Sequence, residues 1–207
     1  MELKKFTTKD FGYLRIFDLY SEEELKSIWN EIFHLDYITD QMEFNTQSEN
    51  SMTRTRALRD DGSPKMSGGG VFLDEMYRDR KSSPILTHNR KLFSDENISQ
   101  SIGESHVSNK VQYITINKDK TLLNRYRDSH EYHPHEDAAI FSAITVLLHK
   151  PEKIRGGEFS FSNYDETFES INNSCIIFPS WVEHSVSSLN CIDDSRRYSI
   201  SQFMYIL

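Results

Sequence analysis

The second half of the chain constrains the fold most. From about residue 110 onward it breaks into seven short runs of strand character, at 111–116, 121–127, 132–137, 140–149, 158–162, 174–178 and 197–206. Turn segments such as Asn117–Lys120 separate them. Short strands at this spacing imply an antiparallel sandwich or barrel. The first half has another texture. Ser21 and Glu24 form a capping box, and Leu25, Ile28, Trp29, Ile32 and Phe33 recur at helical spacing, which predicts a core-packing helix over 21–35. Tyr13–Phe17 reads as a strand before it, and 71–106 as mostly helical with Pro84 in a first turn. Helices first and strands afterwards predict a mainly β fold with helices (α+β), the helices packed against a β core.

With 207 residues the expectation is one domain over 1–207, with 1–106 as helical support and 107–207 as the β core. Between them, 36–70 is polar and unpatterned, and a loop this long is functional or disordered. It carries Arg54, Arg56 and Arg59, read as a solvated run, and ends in Ser67-Gly-Gly-Gly70, read as a flexible hinge. A formal net charge of −8 argues against a nucleic-acid-coating protein, which needs a basic face. The most apolar run, 138–148, is too short to span a membrane. Met1–Phe6 shows no apolar signal segment, so a cytoplasmic protein is expected. Two cysteines, Cys175 and Cys191, make no disulfide framework and read as free thiols; the glycosylation matches at Asn97 and Asn172 then read as chance.

Eight histidines carry the chemical information: His34, His88, His106, His130, His133, His135, His149 and His184. Two His and one carboxylate can hold a metal on one face and leave open positions opposite. The local part of that arrangement is His-x-Asp on a strand, where residues i and i+2 share a side. Two matches occur, His34-Leu-Asp36 and His135-Glu-Asp137, where composition alone would supply roughly 0.6. The first sits at the end of the helix, where i and i+2 diverge, and reads as the accident. The second lies in strand-like sequence. His133 is a rival at i−2.

Arg125-Tyr-Arg-Asp-Ser-His-Glu-Tyr-His-Pro-His-Glu-Asp137 resembles the Arg-Tyr…Tyr-x-Pro-His-x-Asp segment of prolyl 4-hydroxylase-type 2-oxoglutarate/Fe(II)-dependent oxygenases. Gly156-Gly-Glu-Phe-Ser-Phe161 is similar to the Gly-Gly-Glu strand of that superfamily. Ile176–Pro179 with Trp181–Val186 is similar to the strand delivering the distal histidine, and Arg197–Ser201 to the final strand. The four landmarks fall in order over residues 124–203.

The resemblance implies a double-stranded β-helix (jelly roll) buttressed by N-terminal helices. It implies His135, Asp137 and His184 as Fe(II) ligands, and 2-oxoglutarate and O₂ as co-substrates, with ascorbate supporting turnover. Arg197 would take the distal carboxylate of 2-oxoglutarate, with Tyr126 and Ser199 as further donors and Tyr132 as pocket lining. Arg196 rivals Arg197; Arg197 is preferred because Tyr198, Ile200, Met204 and Ile206 then face the other way. Trp181 is expected to pack at the mouth, and Gly156 and Gly157 to form a turn and bulge. The implied activity is hydroxylation of a C–H bond with release of succinate and CO₂. The substrate class it favours is a prolyl residue of a protein or peptide, with 36–70 as a lid and neither nucleic acid nor membrane as partner. A free amino acid or small metabolite is the alternative substrate. A non-catalytic jelly-roll module holding zinc is the alternative from another class.

Overall fold

The computed structural model describes residues 1–41, 61–63 and 65–206. The chain enters as an antiparallel hairpin, β1 (Glu2–Thr7) and β2 (Gly12–Phe17). Thr8 closes its turn, its hydroxyl accepting from the Phe11 amide at 3.0 Å. Then comes α1 (Glu22–Gln41). Its capping box forms as expected: the Glu24 amide donates to Ser21 Oγ and the Ser21 amide to Glu24 Oε2 at 2.8 Å. The helix runs on past Leu35, because Asp36 is pulled into an ion cluster with Arg125, Arg196 and the Tyr198 hydroxyl.

β3 (Gly69–Phe72) leads into short helices: α2 (Leu73–Met76), α3 (Pro84–His88), α4 (Lys91–Ser94), α5 (Glu96–Ser105) and α6 (Val107–Ile114). Pro84 does open a first turn, capped by Ser83. The expectation of a strand over 111–116 is wrong. Those residues lie in and just after α6, which His106 caps and which Asn109 ties to the sheet through its amide bond to the Gly12 carbonyl at 2.9 Å. Short runs rich in β-branched and aromatic residues suit either state, and tertiary contacts decide. The glycines at 68–70 form no hinge. Gly69 and Gly70 pair with β4 (Lys118–Tyr126), where a Cβ on Gly70 would come within 2.3 Å of Asn124 Oδ1.

The remaining strands are β5 (Tyr132–His135), β6 (Phe141–His149), β7 (Ile154–Gly156), β8 (Phe159–Phe161), β9 (Glu166–Phe168), β10 (Ser174–Pro179), β11 (His184–Val186), β12 (Leu189–Cys191) and β13 (Arg196–Tyr205). They build a seven-stranded sheet, β1-β2-β10-β6-β13-β4-β3, and a four-stranded sheet, β5-β11-β8-β9, with β12-β7 as a ribbon. Every pairing is antiparallel. The fold is the double-stranded β-helix expected, buttressed by helices on one face.

Strand alternation splits the core in two. Leu14, Ala143, Ile177, Tyr198 and Ile200 face the helices and pack with Ile28 and Ile32. Tyr126, Ile144, Val146, Ile176 and Phe178 face the smaller sheet and pack with Phe159 and Val186. Burial of this kind stabilises by ~25 cal/mol per Å² of apolar surface. The larger sheet therefore has a helix-supported back and a concave front, and polar residues on the front stand in a walled cavity. Of the expected lid over 36–70, residues 42–60 and 64, including Arg54, Arg56 and Arg59, lie outside the described residues. Its downstream end follows β5: the His133 amide donates to the Lys65 carbonyl, and Met66 bridges to Tyr132. Among the described residues, no helix is long and apolar enough to cross a membrane.

Candidate metal centre

His135 ends β5 and His184 begins β11, and the two pair directly across the smaller sheet. Asp137 lies just past β5, where its amide donates to the Ser180 carbonyl at 3.0 Å. The three side chains converge, with one potential ligand atom from each within 4.8 Å of the others. His135 Nε2 is 3.8 Å from Asp137 Oδ1, and His184 Nε2 is 3.5 Å from Asp137 Oδ2.

Backbone carbonyls set the tautomers. His135 Nδ1 donates to the His133 carbonyl at 2.8 Å, and His184 Nδ1 to the Val182 carbonyl at 3.0 Å. A carbonyl oxygen only accepts, so each Nδ1 carries the proton and each Nε2 lone pair faces Asp137. Burial pushes both imidazoles down to about 4, and in His135 the neighbouring His184 adds to the effect. Both rings are therefore neutral at neutral pH. Burial pushes Asp137 the other way, opposed by a hydrogen bond from Ser142 Oγ at 2.5 Å. Ser142 Oγ also contacts Ser180 Oγ at 2.8 Å. Two neutral imidazoles and a hydrogen-bonded carboxylate, approached from one side, suit a divalent transition metal with open positions opposite.

The other histidines stand apart. His34 is exposed, and its partner in the accidental match, Asp36, belongs to the ion cluster behind the sheet. His133 turns to Glu131, 3.0 Å away. His149 packs on Trp29 and Phe33, His88 contacts Ser27, His106 caps α6, and His130 accepts from the Arg127 amide.

A cavity opens beside His135, Asp137 and His184. Tyr126, Tyr132, Ser199, Asn124 and Phe203 line it together with the three converging residues. The Tyr132 ring stacks on His135 with centroids 3.7 Å apart. Arg197 and Arg196 separate cleanly. Arg196 Nη1 bonds Asp36 at 2.6 Å on the helix side. Arg197, on the same face of β13 as the cavity-lining Ser199, is the largest fully buried side chain among the described residues. Its guanidinium lies 4.9 Å from the Tyr126 ring centroid, and neither terminal nitrogen has a hydrogen-bond partner among the described residues. Tyr198, Ile200 and Met204 do face the other way, while Ile206 lies beyond β13 and is half-exposed. Gly156 and Gly157 have positive φ, as a turn and bulge require. Trp181 departs from expectation: it touches Phe11 edge-on, yet is 49% exposed.

Ser142, Ser180, Asn124 and Ser170 were not singled out as site residues from sequence. Ser142 carries a weak signal, one of two hydroxyls with Thr145 inside an otherwise apolar strand; Ser180 and Ser170 carry none. Asn124 stands opposite Ser199 in register, and its amide reaches Ser199 Oγ at 3.4 Å.

Residues 121–205, which contain every residue lining the cavity, match the family model described as the 2OG-Fe(II) oxygenase superfamily. No curated protein sequence matches the chain. Among solved structures, a prolyl-4-hydroxylase of Pseudomonas putida is similar, with a TM-score of 0.61 at 13% identity over 96% of this chain and 94% of that one. A prolyl hydroxylase from Trichoplax adhaerens, in complex with a hypoxia inducible factor oxygen degradation domain peptide fragment, gives 0.59 at 11% over 93% and 83%. The viral collagen prolyl hydroxylase from Paramecium Bursaria Chlorella virus-1 gives 0.55 at 11% over 94% and 96%. At these identities the structures speak for the fold.

Proposed function

We infer, from the match of residues 121–205 to the 2OG-Fe(II) oxygenase superfamily and from a fold similar to that of prolyl hydroxylases, that this chain is a dioxygenase hydroxylating a C–H bond, in a prolyl residue of a protein or peptide. The observation that carries the reading is the convergence of His135, Asp137 and His184 at the wall of the cavity. When bound there, Fe(II) supplies the oxidative decarboxylation of 2-oxoglutarate to succinate and CO₂, with one atom of O₂ passed to the substrate as hydroxyl.

The chain's own residues do the rest. His135 and His184 offer Nε2 because their Nδ1 protons are held by carbonyls. Ser142 orients the Asp137 carboxylate. The buried Arg197 offers two unpartnered nitrogens in a planar fork that matches a carboxylate, and it stays protonated at any working pH. Tyr126, kept as a phenol by burial, and Ser199 add donors for the distal carboxylate of 2-oxoglutarate. Leu122, Ile144, Val186 and Phe203 exclude water around them. Ascorbate is expected to sustain turnover by keeping iron ferrous.

One observation supports a peptidyl prolyl substrate. The similar structures are prolyl hydroxylases, one of them with a peptide fragment bound. Anaerobic titration with Fe(II) and then 2-oxoglutarate tests the chemistry. The expected result is a visible charge-transfer band, absent in Asp137→Ala and needing far more co-substrate in Arg197→Ala. A folded wild type without the band would point to a zinc-holding binding module instead. Incubation with proline-containing peptides and with free amino acids, read as a one-oxygen mass gain, tests the substrate class; a gain on free amino acids alone would overturn the peptidyl reading.

A further inference from the structure

We propose that Ser170, which lies in no motif, is a positioning residue that sets the orientation of the Arg197 guanidinium and thereby the preference for a 2-oxo acid with a second carboxylate. The proposal rests on the assignment of Arg197 to the co-substrate.

Arg197 Nε donates to Ser170 Oγ at 3.1 Å, across 27 residues of sequence. The Ser170 hydroxyl in turn donates to the Gly157 carbonyl, so its lone pairs are turned toward Nε. A guanidinium is planar, and fixing Nε with one face against Tyr126 fixes the plane of the fork. Both terminal nitrogens then point away from Ser170, and both are buried without a hydrogen-bond partner among the described residues. Gly157, at φ +71°, makes the room: a Cβ there would come within 3.3 Å of Arg197 Cδ and 3.0 Å of Leu189 Cγ.

The loop carrying Ser170 is pinned beside the arginine. Asn172 Oδ1 accepts the amide of Leu148, the residue opposite Arg197 in the β6–β13 register. Asn173 brackets Tyr20, its Oδ1 accepting the Tyr20 amide at 3.0 Å and its Nδ2 donating to the Tyr20 carbonyl at 2.9 Å. The Asn173 amide donates to the Val146 carbonyl at 2.8 Å. The Ser170 hydroxyl is thus held in place before any ligand arrives, which is what a preorganised second layer behind a carboxylate site needs.

The test is anaerobic calorimetric titration of the Fe(II)-loaded protein with 2-oxoglutarate and with 2-oxopentanoate, which has the same carbon chain and no distal carboxylate. Ser170→Ala is expected to weaken 2-oxoglutarate about tenfold, the scale of one hydrogen bond to a charged group. It should leave 2-oxopentanoate unchanged. Ser170→Thr, which keeps the hydroxyl, restores wild-type affinity. Ser170→Cys, close to serine in size, serves if the alanine variant melts early. Unchanged 2-oxoglutarate affinity, or equal weakening of both acids, overturns the proposal. Arg197→Met separates the two levels. If it loses 2-oxoglutarate selectively while Ser170→Ala does not, only the positioning role falls; if it binds 2-oxoglutarate like wild type, the assignment of Arg197 falls too.

Discussion

Arg197→Met is predicted to make the metal-free, co-substrate-free protein more stable while removing its response to 2-oxoglutarate. Taking a guanidinium out of water costs several kcal/mol. Its visible compensation is one hydrogen bond to Ser170, ~1.5–3 kcal/mol for a charged donor, and the face of Tyr126, ~2 kcal/mol when desolvated. Two buried nitrogens without a partner among the described residues leave the balance unfavourable by ~1–3 kcal/mol. Methionine is unbranched and apolar and can follow the arginine stem past Gly157. In a domain of this size each kcal/mol moves the melting temperature by ~2–4 °C, so the variant should melt about 2–12 °C above wild type. Saturating 2-oxoglutarate with Fe(II) should raise the wild-type transition and leave the variant's where it was. Scanning calorimetry on both forms decides. A metal-free variant that melts below wild type would show that the guanidinium is already satisfied, and the argument from its unpartnered nitrogens would collapse.

Ser142→Ala removes the hydrogen bond that orients Asp137 and should weaken Fe(II) ~10–100-fold, read by competition with a chelator; unchanged affinity would mean Ser142 only packs. Asp36→Ala removes the carboxylate shared by Arg125, Arg196 and the Tyr198 hydroxyl behind the sheet and should cost ~3–5 kcal/mol in denaturant unfolding, with 2-oxoglutarate affinity kept in whatever stays folded. The pH dependence of the metal-free protein follows from His135 and His184, both near 4 when folded and about 6.5 when unfolded. Between those values the unfolded chain binds more protons, so their contribution is full above about 6.5 and is lost as pH falls toward 4. His130, lowered by burial, adds in the same direction, while Asp137, raised by burial, opposes at the acid end. Melting curves at pH 7 and pH 5 check this, and equal stabilities would contradict it.

The catalytic half was readable because its information is local in the strands. The alternation Arg197, Ser199 against Tyr198, Ile200 assigns faces without knowing which strand lies next door. The same logic failed at 111–116. Alternating Val111, Tyr113 and Thr115 fit a strand as well as a helix, and what settled the matter was Asn109 reaching Gly12, a contact between residues almost a hundred apart. The end of α1 was misplaced for the same kind of reason. Asp36 and the residues after it look like a loop in isolation, but the carboxylate neutralises arginines from β4 and β13, and the helix continues to meet them. The glycines before β4 read as a hinge because glycine permits motion. Their use here is to let β3 lie against Asn124, which only the neighbouring strand reveals.

The site divides along the same line. His135-x-Asp137 is a strand-local motif, so its convergence could be anticipated, and the distal His184 follows from the fold that delivers it. The preference for Arg197 over Arg196 rested on which face stays apolar, and the structure adds the physical reason. Arg196 has a carboxylate partner behind the sheet, whereas Arg197 is buried beside the cavity-lining Tyr126, and its two terminal nitrogens have no hydrogen-bond partner among the described residues. Two adjacent arginines, identical in charge, are thus sorted by the pleat into one that holds the fold together and one that the fold leaves unsatisfied. What no motif could supply is the layer behind them. Ser142 at Asp137, Ser180 at Ser142, and Ser170 at Arg197 act through hydroxyls whose meaning comes from groups between five and 38 residues away. Ligand identity is therefore written in the strand pattern, while ligand orientation is written in contacts that exist only once the two sheets have closed.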